Sequence, residues 1–181
     1  VVNVRDITER KQVEEALRMS ETNLRSIIEG SPVGYHIYEI DSHNRLVFKM
    51  YNPSANQILH VDHAQFLELD ILEAFPALEG TGIPEMYIAV GKGEMDTQNF
   101  EIPYDYKGIK GVYEVRVFQG AQNQTIVNFI DITERKNTEE ALRTNEERLR
   151  ETARIAKVGG WKINLVGNSL SWTEETFRIH E

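Results

Sequence analysis

The 181 residues carry 20 Lys and Arg against 29 Asp and Glu, a formal net charge of −9. That balance argues against nucleic acid as a partner, which needs a basic surface, and against docking on anionic lipid. The chain has no Cys, so disulfides, thiolate metal sites and thiol photochemistry are excluded. Its 40% apolar and 27% charged content is that of a soluble globular chain long enough for one packed domain with flanking pieces. No apolar run approaches the ~20 residues of a membrane helix and no signal peptide opens the chain, so the expected location is cytoplasmic, with no direct membrane contact.

Residues 6–18 read DITERKQVEEALR and residues 131–143 read DITERKNTEEALR, differing only at Gln12 against Asn137 and Val13 against Thr138. Asp6 recurs as Asp131, 125 residues on. That spacing is too long for a solenoid repeat and has the size of one domain with its connector. One complete domain is therefore expected between two copies of one joint.

In chain order, residues 1–4 read as the tail of a last strand, and residues 126–130 are their counterpart before the second joint. Each feeds a helix, with Thr8 and Thr133 as the expected N-caps and Asp6 and Asp131 placing negative charge at the helix start. The first connector helix is expected over residues 9–29, with Val13, Leu17, Leu24, Ile27 and Ile28 on one face and Ser20 filling the seam. The second, over 134–156, repeats the seam with Leu142, Asn145, Leu149, Thr152 and Ala153. Glu14–Arg18, Glu21–Arg25, Glu139–Arg143 and Glu146–Arg150 stand four apart in the favourable order, each contributing about 0.2–0.5 kcal/mol. Helices this polar need a partner to be stable. The expected partner is a second copy of the chain, in a parallel homodimer joined through Leu17, Leu24, Ile28, Leu142 and Leu149. The alternative is that each helix lies on its own domain.

The stretch Gly30-Ser31-Pro32-Val33-Gly34 breaks the first helix. Residues 33–41 and 45–51 read as strands around a turn at 42–44. Asn52 and Pro53 then supply an N-cap and a first helical residue for a short helix over 54–59. Short helical pieces are expected at 63–67 and 69–75, ended by Phe75-Pro76. Pro84 opens a helix over 85–90, closed by Gly91 and Gly93. From Met95 the period falls to two. Phe100, Ile102, Tyr104 and Tyr106 alternate against Asn99, Glu101 and Asp105. After a turn at 107–111, Tyr113, Val115 and Val117 alternate against Glu114 and Arg116, and residues 125–131 close an antiparallel meander. Beyond Arg150 the copy continues. Val158-Gly159 stands at the same offset from Val33-Gly34, residues 160–165 and 170–172 read as strands, and residues 173–180 read as the start of a helix.

With this element order the chain resembles a PAS domain and its C-terminal connector. Asn52-Pro53 resembles the family's opening of the first core helix. Asp131-Ile132-Thr133 followed by Glu134-Arg135-Lys136 resembles its signal-transmitting junction. Ser20, Glu21, Arg25 and residues 27–34 resemble the approach to a tandem PAS repeat. The resemblance implies an α+β fold: a five-stranded antiparallel sheet of strand order 2-1-5-4-3, short helices on one face, and long connector helices flanking it. It implies the tail of a preceding PAS domain at 1–8, a connector at 9–29, a complete PAS domain at 30–133, a signalling helix at 134–156 and the truncated start of another domain at 157–181. It implies a sensor or relay in a prokaryotic two-component system. The full protein would be a sensor histidine kinase, or less often a diguanylate cyclase, with neighbouring PAS and kinase domains as partners. Asp131, Thr133 and Arg135 would form the signal junction.

No catalytic constellation is present in the sequence. His36, His43, His60, His63 and His180 are the histidines, and only His180-Glu181 begins like a kinase phospho-acceptor, in a stretch that fits a core helix better. Gly80-Thr81-Gly82 and Gly91-Lys92-Gly93 lack the Lys-Ser/Thr that completes a phosphate loop and read as turns. His60 and His63 have the spacing of a metal pair but no third ligand, and read as solvated helix ends. Haem-binding relatives carry an axial His on the helix corresponding to residues 84–90, and this one has none. The flavin-adduct subclass needs a Cys. No cofactor is assigned: haem and a covalent flavin are disfavoured, while an unknown small molecule, including a non-covalent flavin, stays open. In the family, ligands lie between the sheet's inner face and the helices. Tyr51, Phe75, Met86, Tyr87, Tyr104, Tyr106 and Tyr113 are the candidate wall residues. Arg116 is a candidate carboxylate anchor, although the alternation turns it outward. The alternative is a filled core that binds nothing, leaving a dimerising spacer.

Overall fold

The computed structural model describes residues 4–164, 167–173, 175, 176 and 178, and side chains from residue 10 on. Helix α1 (Val4–Glu29) leads into a hairpin of β1 (Gly34–Ile40) and β2 (Leu46–Tyr51). Next come α2 (Pro53–Leu59), a 3-10 turn (His63–Phe66), α3 (Ile71–Ala74), a second 3-10 turn (Pro76–Leu78) and α4 (Ile83–Gly91). The strands β3 (Gln98–Tyr106), β4 (Ile109–Gln119) and β5 (Gln124–Asp131) follow, then α5 (Thr133–Ala156) and a hairpin of β6 (Trp161–Asn164) and β7 (Ser169–Trp172). The chain divides into two compact units, residues 1–133 and 134–181.

In the first unit the five strands form one antiparallel sheet of order β2-β1-β5-β4-β3. The period-two residues of one sheet face close against the short helices. Tyr38, Phe48, Val117, Val127 and Phe129 are buried from the sheet, and Leu59, Ile71, Phe75, Tyr87 and Val90 from the helical side. Thr125 ties the two layers by donating its hydroxyl to the Tyr87 carbonyl at 2.8 Å. Gly34 is required by proximity: a Cβ there would stand 2.5 Å from the Phe129 ring. β3 is an edge strand in which Pro103 stands opposite Val112 of β4.

Asn52 holds the first unit together at its centre. Its Oδ1 accepts from Tyr35 N at 2.9 Å and from Ala55 N at 3.1 Å, and its Nδ2 donates to Ile28 O at 2.9 Å and Val33 O at 2.8 Å. Two donors and two lone pairs exhaust the hydrogen-bonding capacity of one amide. The side chain is buried, so α1, the link after it, β1 and α2 meet at a single residue.

Several boundaries differ from the sequence expectation. The first helix begins at Val4, with Asp6 and Thr8 inside it, and residues 1–3 lie outside the described residues. A strand there needs a sheet. β5, its counterpart, has β1 and β4 on either side, whereas among the described residues no strand pairs with the first copy, and its Glu-, Arg- and Lys-rich sequence takes the helix. Phe75-Pro76 does not end the helical series, because Pro76 fits the first position of a further 3-10 turn. The turn expected over 107–111 contracts to Lys107 and Gly108, both at positive φ, with β4 resuming at Ile109. β3 starts at Gln98 rather than near Met95. His180 and Glu181 lie outside the described residues.

Replacing Asn52 by Ala removes all four of these bonds, the cap on Ala55 N among them. At about 1 kcal/mol for each bond lost, the expected destabilisation is about 4 kcal/mol. Asn52→Asp keeps the acceptor but sets a carboxylate against the Ile28 and Val33 carbonyls, and should be no better. Urea midpoints of the three proteins measure this, and an Asp variant equal to wild type would refute it.

Candidate functional site

The alternation of β1 turns Gly34, His36, Tyr38 and Ile40 toward the helices. His36 therefore enters the core, 5% exposed, between Tyr51 of β2 and Val127 of β5. His63 arrives from the opposite layer. Asp62 caps the first 3-10 turn by accepting Ala64 N at 3.0 Å, and the turn carries His63 inward until it is 0% exposed. The two imidazole centroids lie 4.8 Å apart. Phe48, Phe75 and Phe129 surround His36, while Phe48, Tyr51, Phe66 and Phe75 surround His63. The sequence reading of His60 and His63 as solvated helix ends holds for His60 and fails for His63. A short 3-10 turn has no apolar period to reveal which of its residues points inward.

The hydrogen bonds fix one tautomer. Asn56 Oδ1 accepts the His63 backbone N–H at 3.1 Å, which orients the amide. The same oxygen lies 2.7 Å from His63 Nδ1, so Nδ1 carries the proton and Nε2 is a bare lone pair. His36 Nδ1 lies 3.3 Å from the Tyr38 hydroxyl. Both Nε2 atoms are buried without a hydrogen-bond partner. Burial holds His63 down at about 4 against the neighbouring Asp62, which pulls the other way. Burial, and then the facing His63, hold His36 well below the ordinary histidine range. The result is a pair of imidazoles kept neutral by an aromatic cage.

Beside His36 lies a cavity of about 70 Å3. Of the candidate wall residues, Phe75, Tyr87, Tyr104 and Tyr113 line it. Tyr51, Met86 and Tyr106 pack partly buried around the core without reaching it. The lining that the sequence reading missed includes His36, Tyr38, Val127 and Phe129, all on alternating inward positions of β1 and β5. Burial raises the hydroxyl of Tyr113 to about 12 and holds those of Tyr38 and Tyr87 protonated. A space of about 70 Å3 takes a few small atoms, such as a diatomic or one or two waters, whereas pockets for organic cofactors run to several hundred Å3. The cavity does not fit a flavin ring or a haem. Arg116 stands exposed on the opposite sheet face, as the alternation has it, away from the cavity and in a groove of about 500 Å3 with Asp96, Gln119 and Asn128. Among the described residues no cluster of three or more His, Asp or Glu could hold a metal ion.

At the other end of β5, Thr133 is the first residue of α5 and its hydroxyl turns back to the sheet. It accepts Val112 N of β4 at 2.9 Å, Ile132 N donates to Val112 O at 2.9 Å, and Asp131 Oδ1 accepts Thr133 N at 2.8 Å. Ile132 is buried between them. Arg135 sits exposed in the first turn of α5.

Among solved structures, the PAS domain of an HTR-like protein from Haloarcula marismortui superposes with a TM-score of 0.50 at 19% identity, over 67% of this chain and 99% of that one. The first unit has the PAS fold. An RNA-binding light-oxygen-voltage receptor gives a TM-score of 0.53 at 15% identity, over 70% of this chain and 37% of that one. At these identities the likeness is one of fold. No family model matches the chain. By sequence the chain is 28% identical over 148 residues to sporulation kinase E of Bacillus subtilis, covering 79% of this chain. The chain spans 19% of that kinase's length. The order β2-β1-β5-β4-β3 and the helices on one face are those of the PAS fold.

The histidine pair should give the first unit an acid-side stability slope. Both folded pKa values lie below the ordinary 6.5, so the unfolded chain binds protons that the folded chain refuses. Stability is complete above about pH 6.5 and falls as pH drops toward about 4, by up to about 1.4 kcal/mol per pH unit for each histidine. Asp41, lowered to about 2 chiefly by the Arg45 backbone N–H, acts below that window. Denaturant midpoints should fall between pH 7 and pH 5 in wild type and change about half as steeply in His63→Phe. Equal slopes would refute the assignment.

Proposed function

We propose that this chain is a sensory relay segment of a multi-domain sensor histidine kinase, working in the cytoplasm as a homodimer joined through its connector helices. The observation that carries the reading is the double attachment of the β5–α5 junction to Val112. Both backbone groups of one β4 residue hold Ile132 and Thr133, where β5 passes into α5, so a slide of β5 against β4 must break or re-aim those bonds. A core change worth a few kcal/mol would be enough to shift a two-state junction of this kind. The likeness to sporulation kinase E supports the kinase context.

The dimer rests on the helices themselves. α5 buries none of its residues, and Leu142 and Leu149 are 60% and 70% exposed. On α1, Val13, Leu17, Leu24 and Ile27 are exposed as well, while Ile28 is half-buried. Polar helices with one open apolar row gain stability by pairing along that row. Among the described residues no helix is long and apolar enough to cross a membrane.

A second reading, a ligand-free dimerising spacer, is favoured by the small size of the cavity. Native mass spectrometry of the segment separates the two: a dimer carrying an extra bound mass supports a ligand-gated sensor, and a bare dimer supports the spacer or a sensor of strain. Leu149→Glu should convert the dimer to monomer in sedimentation, and an unchanged dimer would place the interface elsewhere. Asp131→Ala should destabilise the domain by no more than about 1 kcal/mol, yet alter both amide exchange in the first turn of α5 and phosphorylation by the full-length kinase. If neither changes, the relay is wrong.

A further inference from the structure

Residues 61–67 carry His63 into the core as one short loop. The loop is bracketed by two non-glycine residues in the left-handed region, His60 at φ 53 and Glu68 at φ 65. Beyond the second bracket the chain is anchored again. Glu68 N donates to Phe48 O at 2.9 Å, Phe48 N to Leu69 O at 2.9 Å, and Lys49 Nζ reaches Glu68 at 2.6 Å. Before the first bracket, α2 is anchored by Asn52. The segment between is held to α2 through Asn56 Oδ1, which takes both donors of His63, and to the rest of the core by the packing of the His63 and Phe66 rings. Strained residues at the two ends of a loop are positions where a backbone rotation relieves strain rather than adding it.

The position of His36 does not demand a titratable group. At the 125-residue offset that aligns Val33-Gly34 with Val158-Gly159, the residue in register with His36 is Trp161. The repeat therefore carries an apolar ring where the first unit carries an imidazole, although Trp161 itself stands exposed.

We propose that residues 61–67 form a proton-operated flap. With both rings neutral, His36 and His63 face each other inside the aromatic cage and the flap stays shut. Proton uptake by the pair releases the flap, opens the cavity beside His36 and frees β1 to shift against β5. The inference rests on the sensory reading above and names its input as acid.

The groups facing the pair permit this behaviour. From β1, Tyr38 meets His36 with its hydroxyl, and behind Tyr38 stand Tyr87 of α4 and Tyr104 of β3, each with its proton retained by burial. From β2 come Phe48 and the phenol of Tyr51, from α2 the neutral amide of Asn56, from the segment after α3 Phe75, and from β5 Phe129. The nearby carboxylate is Asp62, on the flap itself, and its attraction for a charged His63 is outweighed by burial. A first proton on either ring is therefore unsolvated, and a second would face the first. Each open-state imidazole regains its ordinary pKa near 6.5. If the closed form is favoured about a hundredfold at neutral pH, two such groups bring the forms to parity near pH 5.5.

The test uses the whole 181-residue chain. Amide hydrogen exchange, corrected for its intrinsic pH dependence, should show protection of residues 61–67 falling about a hundredfold between pH 7 and pH 5.5 in wild type, about tenfold in His36→Phe or His63→Phe, and hardly at all in the double variant. Equal loss in wild type and the double variant, or no loss in wild type, would overturn the flap. Should the variants fold poorly, imidazole 15N shifts of the unmutated chain at pH 7 decide the same question. Two neutral rings with His63 protonated on Nδ1 support the flap, and a charged ring at that pH sinks it. The sensory reading is judged separately. If the flap opens with acid while α5 exchange and kinase output stay constant, the flap stands and the relay falls. If α5 and output respond to Asp131→Ala while residues 61–67 ignore pH, the relay stands and the flap falls.

Discussion

One amide organises the PAS unit. Asn52 has no spare donor or lone pair, and each of its four bonds goes to a different backbone group. A buried polar side chain is costly when partly satisfied and specific when fully satisfied, because any other packing leaves an orphaned group in the interior. The exit of α1, the start of β1 and the start of α2 therefore have one arrangement in common. Everything C-terminal inherits it: α2 leads to the loop that carries His63, and β1 presents His36 to meet it.

The core built on that frame is largely aromatic and aliphatic, and among the described residues the histidine pair is where buried side-chain polar atoms lack a hydrogen-bond partner. Two unpartnered ring nitrogens in such a place are a standing penalty that an apolar pair would avoid. A folded protein retains a penalty of this kind most readily where it is conditional, costing little at one pH and much at another. The junction at the far end of β5 has a comparable character. It is held by three bonds around Val112, Asp131 and Thr133 instead of by a buried apolar plug alone, so its geometry is specific but not deeply stable.

Much of this was legible in the sequence and the remainder was not, for identifiable reasons. The period-two runs marked the strands and their inward faces, and Asn52-Pro53 announced α2 with its cap. The alternation of β1 also turns His36 inward, but a single imidazole in a strand adds no apolar signal of its own. Tyr51, Met86 and Tyr106 have the right character for a cavity wall but stand at its periphery, a distinction that depends on how two layers meet. His63 was illegible because a four-residue 3-10 turn has no face to count. The bond from Val112 N to the Thr133 hydroxyl was illegible because it depends on how β4 meets the end of β5.

Val112 has a consequence on its other side. Because both its backbone groups turn toward the junction, it offers none to the edge strand, where Pro103 stands opposite it. A proline at that register loses no ladder bond, and its missing N–H faces the open rim of the sheet. A rim without that donor is a poor template for another strand. If copies of the chain pair along their helices, as proposed, bringing their sheets to high local concentration, this single residue discourages edge-to-edge aggregation.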